Sequence, residues 1–539
     1  MTQRVLLGPN GQALPSGVGR AVAMAATLTA SADVGYRAAS TTSQDMAGWN
    51  PASLSADAGW LWSRDTAVAR TYDLLQTEPW ALGGVDKKVD MIIGATWRPS
   101  IKPDAEALGI SPDEASALGR VYERIWRGWA TDPLCRCDLE ETLNAPFLFN
   151  LATMQHEVAG DGLAVVRWKD DRGWAYRTAL QVIDADRLSN PMGRPDSDVL
   201  RGGIEKDLDG RPAAYHFRDA HPGDLLMGGS AKAYRWERVE RRESWGRPRV
   251  LHLYSKDRPG QSRGVSKLVA SLARVKGLSR FGEAELTNAV MNAMFAATIT
   301  SGFDPAVAEQ HMTVGATAGY QDLREAFYDT VKPSLRGVRL QHLFPGDELK
   351  FLTTGREAAG FSTVTPTFLR SLASGLGIAY EQLSGDWSQV NYSSARAALV
   401  EVWRGILKAR ARVEMMMATP LLLAVLEDAI DAGMADLPAA VANLYDPPAA
   451  WLRNNRNGQA PAWEDPVKHA QDALMRIEAG LSNYELECAE QGVDFEENLA
   501  GLMRQKGMWA GAGHTPPALA SMLSVQARTD DPEPSAVAA

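Results

Sequence analysis

The stretch YEQLSGDWSQVNYSSARAALVEVWR, residues 380–404, is where the chain passes from a polar segment into its longest amphipathic helix. No lysine or arginine lies between Arg370 and Arg396, while Glu381 and Asp386 are acidic. Asn391, Ser393 and Ser394 carry short side-chain oxygens that can accept from the orphan N–H groups of a helix start. From Leu399 onward Val402, Ile406, Val413 and Met416 keep helical spacing. Arg404, Lys408 and Arg412 fall four apart and form a basic stripe. That stripe could bind nucleic acid, but Glu401 and Glu414 nearby favour a solvated or subunit-contacting face. Thr419-Pro420 reads as the cap and first position of a following helix.

Upstream, residues 367–376 read as a helix closed by Gly377, and 267–297 as another, interrupted only mildly by Gly277 and Gly282. Between them ATITSGF and ELKFLT read as strands, with VRLQHLF a third and 322–331 a helix. Two helices thus bracket a small αβ tip. Further upstream, GLAVVRW (162–168), LQVIDADRL (180–188), AAYHFR (213–218) and VLHLY (250–254) read as strands of a small mixed sheet. Residues 56–93 and 113–129 read as helical, with Gly94 a stop. Downstream, Asp465-Pro466 opens a helix that Gly480 closes. Ser482 with Glu485 reads as a capping box, Gly492 ends that helix, and Asp494 with Glu497 opens the last one. Residues 1–34 and 511–539 read as flexible ends.

The 539 residues carry a formal charge of −10 spread along the chain, a balance unsuited to tight non-specific DNA wrapping. Cys135, Cys137 and Cys488 are an odd set without framework spacing, so reduced thiols are expected. No signal peptide or membrane span is evident, and 286–302 is too short and polar to cross a bilayer. Catalytic patterns are missing: no G-x-x-x-x-G-K-[ST], no H-E-x-x-H and no G-x-S-x-G occur. His216 and His252 fall in strand-like runs and read as hydrogen-bonded sheet residues. Asp184 and Asp186 could be paired carboxylates, but a turn with a local ion pair is preferred. No cofactor, metal or catalytic residue is expected.

The 380–404 stretch resembles the signature of the lambda-type family of tailed-phage portal proteins. The likeness is shared by WNP (49–51), DPLCRCD (132–138), DRPGQSRGVSKL (257–268), GEAELTNAVMNAMFAATITS (282–301), FPGDELKF (344–351) and WEDPVKHAQDALMRIEAGLS (463–482), in order from about 35 to 507. The resemblance implies an α+β, multi-lobed subunit in a closed ring of about twelve copies at one capsid vertex. DNA would pass through the ring, pumped by a separate terminase, with the major capsid protein and a head–tail adaptor as further partners. It places a wing at 35–262, stem helices at 263–297 and 355–376, and a clip at 298–354. A tunnel loop follows at 377–393, then the long wing helix and its successor at 394–445, and a helical crown-like region at 446–510. The DNA-channel residues would be Glu381, Ser384, Gly385, Asp386, Ser388, Asn391 and Tyr392. A loop without cations suits a sliding contact, because each phosphate ion pair must break at every step of translocation. The chain departs from the family at Ala379, where proline is common, and Pro366 is expected to shorten or kink the second stem helix. The expected location is the virion, with the host cytoplasm during assembly. The alternatives are a phage-associated DNA-processing enzyme, which would need a convergent acid, base or metal cluster, and another virion scaffold component.

Overall fold

The computed structural model describes residues 48–227, 231–294, 298–301, 322–323, 325–327, 347–350, 359–388, 391–438, 441, 444–445, 452, 454–457, 466–493 and 495–512. The chain divides into two units, Met1–Gly59 and Trp60–Ala539. In the first, Ser55 accepts from Gly59 N–H through its carbonyl at 3.0 Å and from Ala58 N–H through its hydroxyl at 3.2 Å. The second unit holds the sheets and nearly all of the described helical residues.

The expected mixture of helices and small sheets is present. Helices α1 (Ala56–Thr77), α2 (Pro79–Ile92), α3 (Ala105–Leu108), α4 (Pro112–Ala130) and α5 (Ala145–Ala159) precede most of the strands. Ser111 and Glu114 form a reciprocal capping box at the start of α4. The strand-like runs do not share one mixed sheet. β2 (Asp161–Trp168) lies between β3 (Thr178–Ile183) and β8 (Val250–Tyr254) in one antiparallel sheet. β4 (Leu200–Arg201), β5 (Ile204–Lys206), β6 (Pro212–Arg218) and β7 (Trp236–Glu240) form a second, also antiparallel. Both sheets offer apolar faces, and Leu163, Val165, Ile183, Ile204, Tyr215, Phe217 and Val239 fill the space they share.

One carboxylate ties these sheets to the helices. Asp161, wholly buried, accepts on Oδ1 from His252 Nε2 at 2.9 Å and from Gly264 N–H at 2.6 Å. Its Oδ2 accepts from Arg263 Nε at 2.7 Å and lies 3.6 Å from Arg64 Nε of α1. Arg263 also donates to the carbonyls of Leu188, Gly202 and Ala185 at 2.8–2.9 Å. Trp60 Nε1–H donates to Gly264 O at 2.8 Å. A Cβ on Gly264 would stand 1.8 Å from the Gly160 carbonyl oxygen, so this crossing admits only glycine. Burial alone would raise the Asp161 pKa, but Arg263, His252 and Arg64 hold it well below the usual carboxylate range.

From this junction Ser266 opens the 3₁₀ turn Lys267–Ser271, which runs into α6 (Leu272–Met294). β9 (Thr298–Ser301) pairs antiparallel with β10 (Asp347–Lys350). The expected strand VRLQHLF and most of the 322–331 helix lie outside the described residues, as do 1–47 and 513–539. Helix α7 (Ala359–Leu376) contains Pro366 rather than beginning after it. A proline removes one helical rung, and burial of Leu369, Leu372, Ala373 and Leu376 holds the turns beyond it.

Helix α9 (Tyr392–Val413) does not stop for a new cap at Thr419. It passes through a π turn, Glu414–Ala418, into α10 (Thr419–Asp431). Thr419 has helical angles, and its N–H reaches back to Glu414 O, a five-residue step. The wide turn just ahead of Pro420 absorbs a residue that has no N–H to give. Beyond β11 (Asn454–Asn457), which pairs with β1 (Arg98–Ile101), come α11 (Pro466–Glu478), α12 (Tyr484–Glu490) and α13 (Phe495–Gly511). The cap of α12 is Asn483, which accepts from Leu486 N–H at 2.8 Å, not Ser482. Asn483 has the extended backbone that an N-cap requires.

Asp161→Asn leaves Arg263 buried beside a neutral partner and should cost about 3–5 kcal/mol. Because the folded carboxyl titrates below its unfolded value of about 3.9, its contribution is complete above that pH and is lost as pH falls beneath it. The wild-type minus variant difference in thermal midpoint should therefore be full near neutrality and shrink below about pH 4.

Candidate functional site

The 377–393 segment begins where α7 ends. Gly377 (φ 73°) turns the chain, and Gly377 N–H and Ile378 N–H both donate to Ala373 O at 2.8 and 3.1 Å. The first half of the segment is not an open loop. Residues Tyr380–Ser384 form a helical turn, α8, with Ala379 N–H donating to Gln382 Oε1 at 3.0 Å. Leu383 is buried against Gly84 of α2, where a Cβ would approach Leu383 Cδ1 and Leu376 Cδ1 to 2.7 Å. Arg370 lies 5.0 Å over the Tyr380 ring. Lys87 Nζ of α2 donates to Gln382 O at 2.5 Å. A cation therefore stands beside a segment that carries none of its own, a contact invisible across almost three hundred positions of sequence.

The second half is exposed. Gly385 takes a left-handed conformation (φ 71°), and its N–H donates to Glu381 O at 2.8 Å, closing α8. Asp386 N–H donates to Ser384 Oγ at 3.1 Å. Asp386 Oδ1 accepts from Ser388 N–H at 3.0 Å and from Ser388 Oγ–H at 2.7 Å. These bonds from Ser388 hold the Asp386 carboxyl below the usual range, so it stays ionised at neutral pH. Trp387, between them, is 43% exposed. Asn391 is the N-cap of α9, its Oδ1 accepting from Ser394 N–H at 2.9 Å. That oxygen is thus engaged in the fold, and Ser393 and Ser394 lie inside the helix. Residues 389–390 lie outside the described residues, as does the side chain of Tyr392.

Of the basic stripe, Arg404 and Lys408 are exposed and Arg412 is half-buried. Glu414 is not on that outer face; it is buried and accepts from Thr419 Oγ1–H at 2.8 Å. The arginine of this helix that the fold uses is Arg410, off the stripe. It donates to the Ile92 and Met91 carbonyls at 2.9 and 2.7 Å, capping the end of α2, and lies 4.8 Å over Trp403. Burial pulls its pKa down to about 10, still charged at neutral pH.

The other groups weighed in the sequence are structural. His216 Nε2 meets Glu205 at 2.7 Å, and His252 belongs to the Asp161 junction. Asp184 caps its own turn by accepting from Asp186 N–H at 2.9 Å. The ion pair of Asp186 is not local: it is made with Arg64, 3.3 Å away. Asp184, Asp186 and His221 converge, but the adjoining Arg64 guanidinium opposes a cation there. No disulfide joins Cys135, Cys137 and Cys488. No helix among the described residues is long and apolar enough to cross a membrane.

The model of the family of phage portal proteins, lambda family, matches residues 42–410. The chain belongs to this family. It is 32% identical over 484 residues to the portal protein of Escherichia phage N15, covering 88% of this chain and 90% of that one. It is 31% identical over 485 residues to portal protein B of Escherichia phage lambda, covering 88% and 89%. Among solved structures, a chain of the virion of a native gene transfer agent particle aligns with a TM-score of 0.40 and 18% identity, covering 76% of this chain and 99% of that one.

Asn391→Ala should cost about 1 kcal/mol at the start of α9. Hydrogen exchange should show faster exchange of the first-turn amides near Ser394, with the α10 amides unchanged.

Proposed function

We propose that this chain is the subunit of a closed ring of about twelve copies at one vertex of a phage head, through which double-stranded DNA enters and leaves. The observation that carries the reading is its match to the lambda portal family over 42–410, joined to two portal relatives that align over 88% of the chain. Its role is structural rather than enzymatic. Terminase, the major capsid protein and a head–tail adaptor are its partners, and it assembles in the host cytoplasm before residing in the virion.

Within that ring the wing is 35–262 with 394–445, the stem is 263–297 with 355–376, the clip is 298–354, 377–393 faces the channel, and 446–510 is the crown-like region. The described part of that segment supports the last assignment. It is fastened at Leu383 and exposed from Gly385 to Ser388, where it offers the Ser388 hydroxyl, the Trp387 ring and one carboxylate, with the two polar side chains already bonded to each other. Such groups touch phosphate weakly, and Asp386 repels it, so DNA slides past instead of lodging. Like the Asn391 oxygen, the Ser384 and Ser388 hydroxyls are engaged within the segment, which keeps their contact with phosphate weak.

Mass photometry and negative-stain imaging of the purified protein test the ring. Annular particles with a mass near twelve subunits are expected; monomers alone, even with capsid protein present, would contradict it. Asp386→Lys adds one cation per subunit and should leave ring formation intact while lowering packaged DNA by about tenfold. Unchanged packaging would remove the sliding-contact role from this segment.

A further inference from the structure

The first turn of α13 lies against a strip of cations. Glu496 pairs with Arg120 at 2.6 Å and with Lys102 at 3.2 Å. Glu497 pairs with Arg127 at 3.0 Å and with Arg98 at 3.7 Å. Glu485 of α12 reaches Lys102 at 3.5 Å. Arg120, Arg124 and Arg127 share one outer face of α4, spanning about 10 Å along its axis. Arg124 is exposed, and a cavity of about 430 Å³ remains between these arginines and the two glutamates.

Burial does not fasten α13 to this strip. No residue of α13 is buried, and Leu499, Leu502 and Met503 are exposed. The Phe495 ring stacks on Tyr484 of α12, not on α4. Arg98, Arg120, Arg127 and Glu497 are each about half exposed. Half-exposed pairs contribute at most about 1 kcal/mol each and are screened by salt, while Glu496 and Lys102, each about a quarter exposed, are screened less. The turn is therefore held on α4 by charge and is readily displaced by a better anion.

We propose that Glu496 and Glu497 are a removable cover over a phosphate-binding strip, Arg98, Lys102, Arg120, Arg124 and Arg127, whose ligand is the backbone of double-stranded DNA. Guanidinium forks match anionic oxygens in pairs, and the α4 arginines span about three phosphate steps along one strand. With the cover lifted, two carboxylates remain beside the strip: Glu485, 3.5 Å from Lys102, and Glu123, which accepts from Ile101 N–H at 2.7 Å. The choice of duplex DNA over another polyanion rests on the portal reading.

The test is fluorescence anisotropy of the full chain with a labelled duplex of about 20 base pairs over a salt series. Glu496→Gln with Glu497→Gln removes the cover without adding cations, and Asp170→Asn with Asp171→Asn is the charge-matched control. The cover variant should bind about tenfold tighter than the control, with a salt slope steeper by about two. Adding Arg120→Gln and Arg127→Gln should abolish the gain. An equal gain in the control, a gain that survives loss of the two arginines, or tighter binding of polyglutamate than of duplex would overturn the proposal. In the unaltered chain, hydrogen exchange of α13 should quicken as salt rises to about 0.5 M while β2 stays protected; unchanged protection of α13 would also overturn it. These readouts need no ring and no packaging, so they fail or hold separately from the portal reading.

Discussion

The carboxylate of Asp161 is the constraint on which the rest of the second unit depends. It is buried at the start of the central strand β2 and is satisfied by groups from β8, α1 and the segment that leads into α6. A buried charge is tolerable only if every oxygen has partners, and removing any one leaves the others stranded. Arg263 extends the junction by clamping three backbone carbonyls between the two sheets. The Gly160–Gly264 crossing then brings the chain close enough for these bonds to form. The direction in which α6 departs is thereby fixed by electrostatics as much as by packing.

A second support is α2. Its Gly84 lets Leu376 and Leu383 close in, its Lys87 holds the Gln382 carbonyl, and its last carbonyls are capped by Arg410 of α9. The elements before and after the 377–393 segment thus both bear on one helix. The consequence is a segment secured at Leu383 and free to present residues 385–388. This division suits the role proposed for it: a firm anchor carries load, and a short polar exposure meets whatever passes.

Local signals in the sequence identified much of this. Gly94, Gly377, Gly480 and Gly492 all end helices with positive φ, as their positions after periodic runs suggested. Asn391 was legible as one of three neighbouring cap candidates, and the backbone selects it over Ser393 and Ser394. The same holds for Ser482 and Asn483, where only the backbone angle decides. The π turn before Pro420 was hidden because Thr-Pro is the ordinary signature of a helix start. The two separate sheets were hidden because periodicity identifies strands but not partners. Asp161 and Lys87 were illegible for the same reason: their partners lie far away in the chain. Arg263 stood inside a family-like word, DRPGQSRGVSKL, yet nothing local distinguished it from an exposed arginine.

The most direct test of a channel-facing 377–393 segment is photocross-linking from position 387 in assembled particles. A benzophenone side chain replaces Trp387, and one at exposed Trp62 serves as the comparison. Adducts to DNA are predicted from position 387 and not from position 62 when packaging is under way. Adducts from position 387 to protein alone, with DNA captured elsewhere or nowhere, would contradict the assignment of this segment to the channel wall.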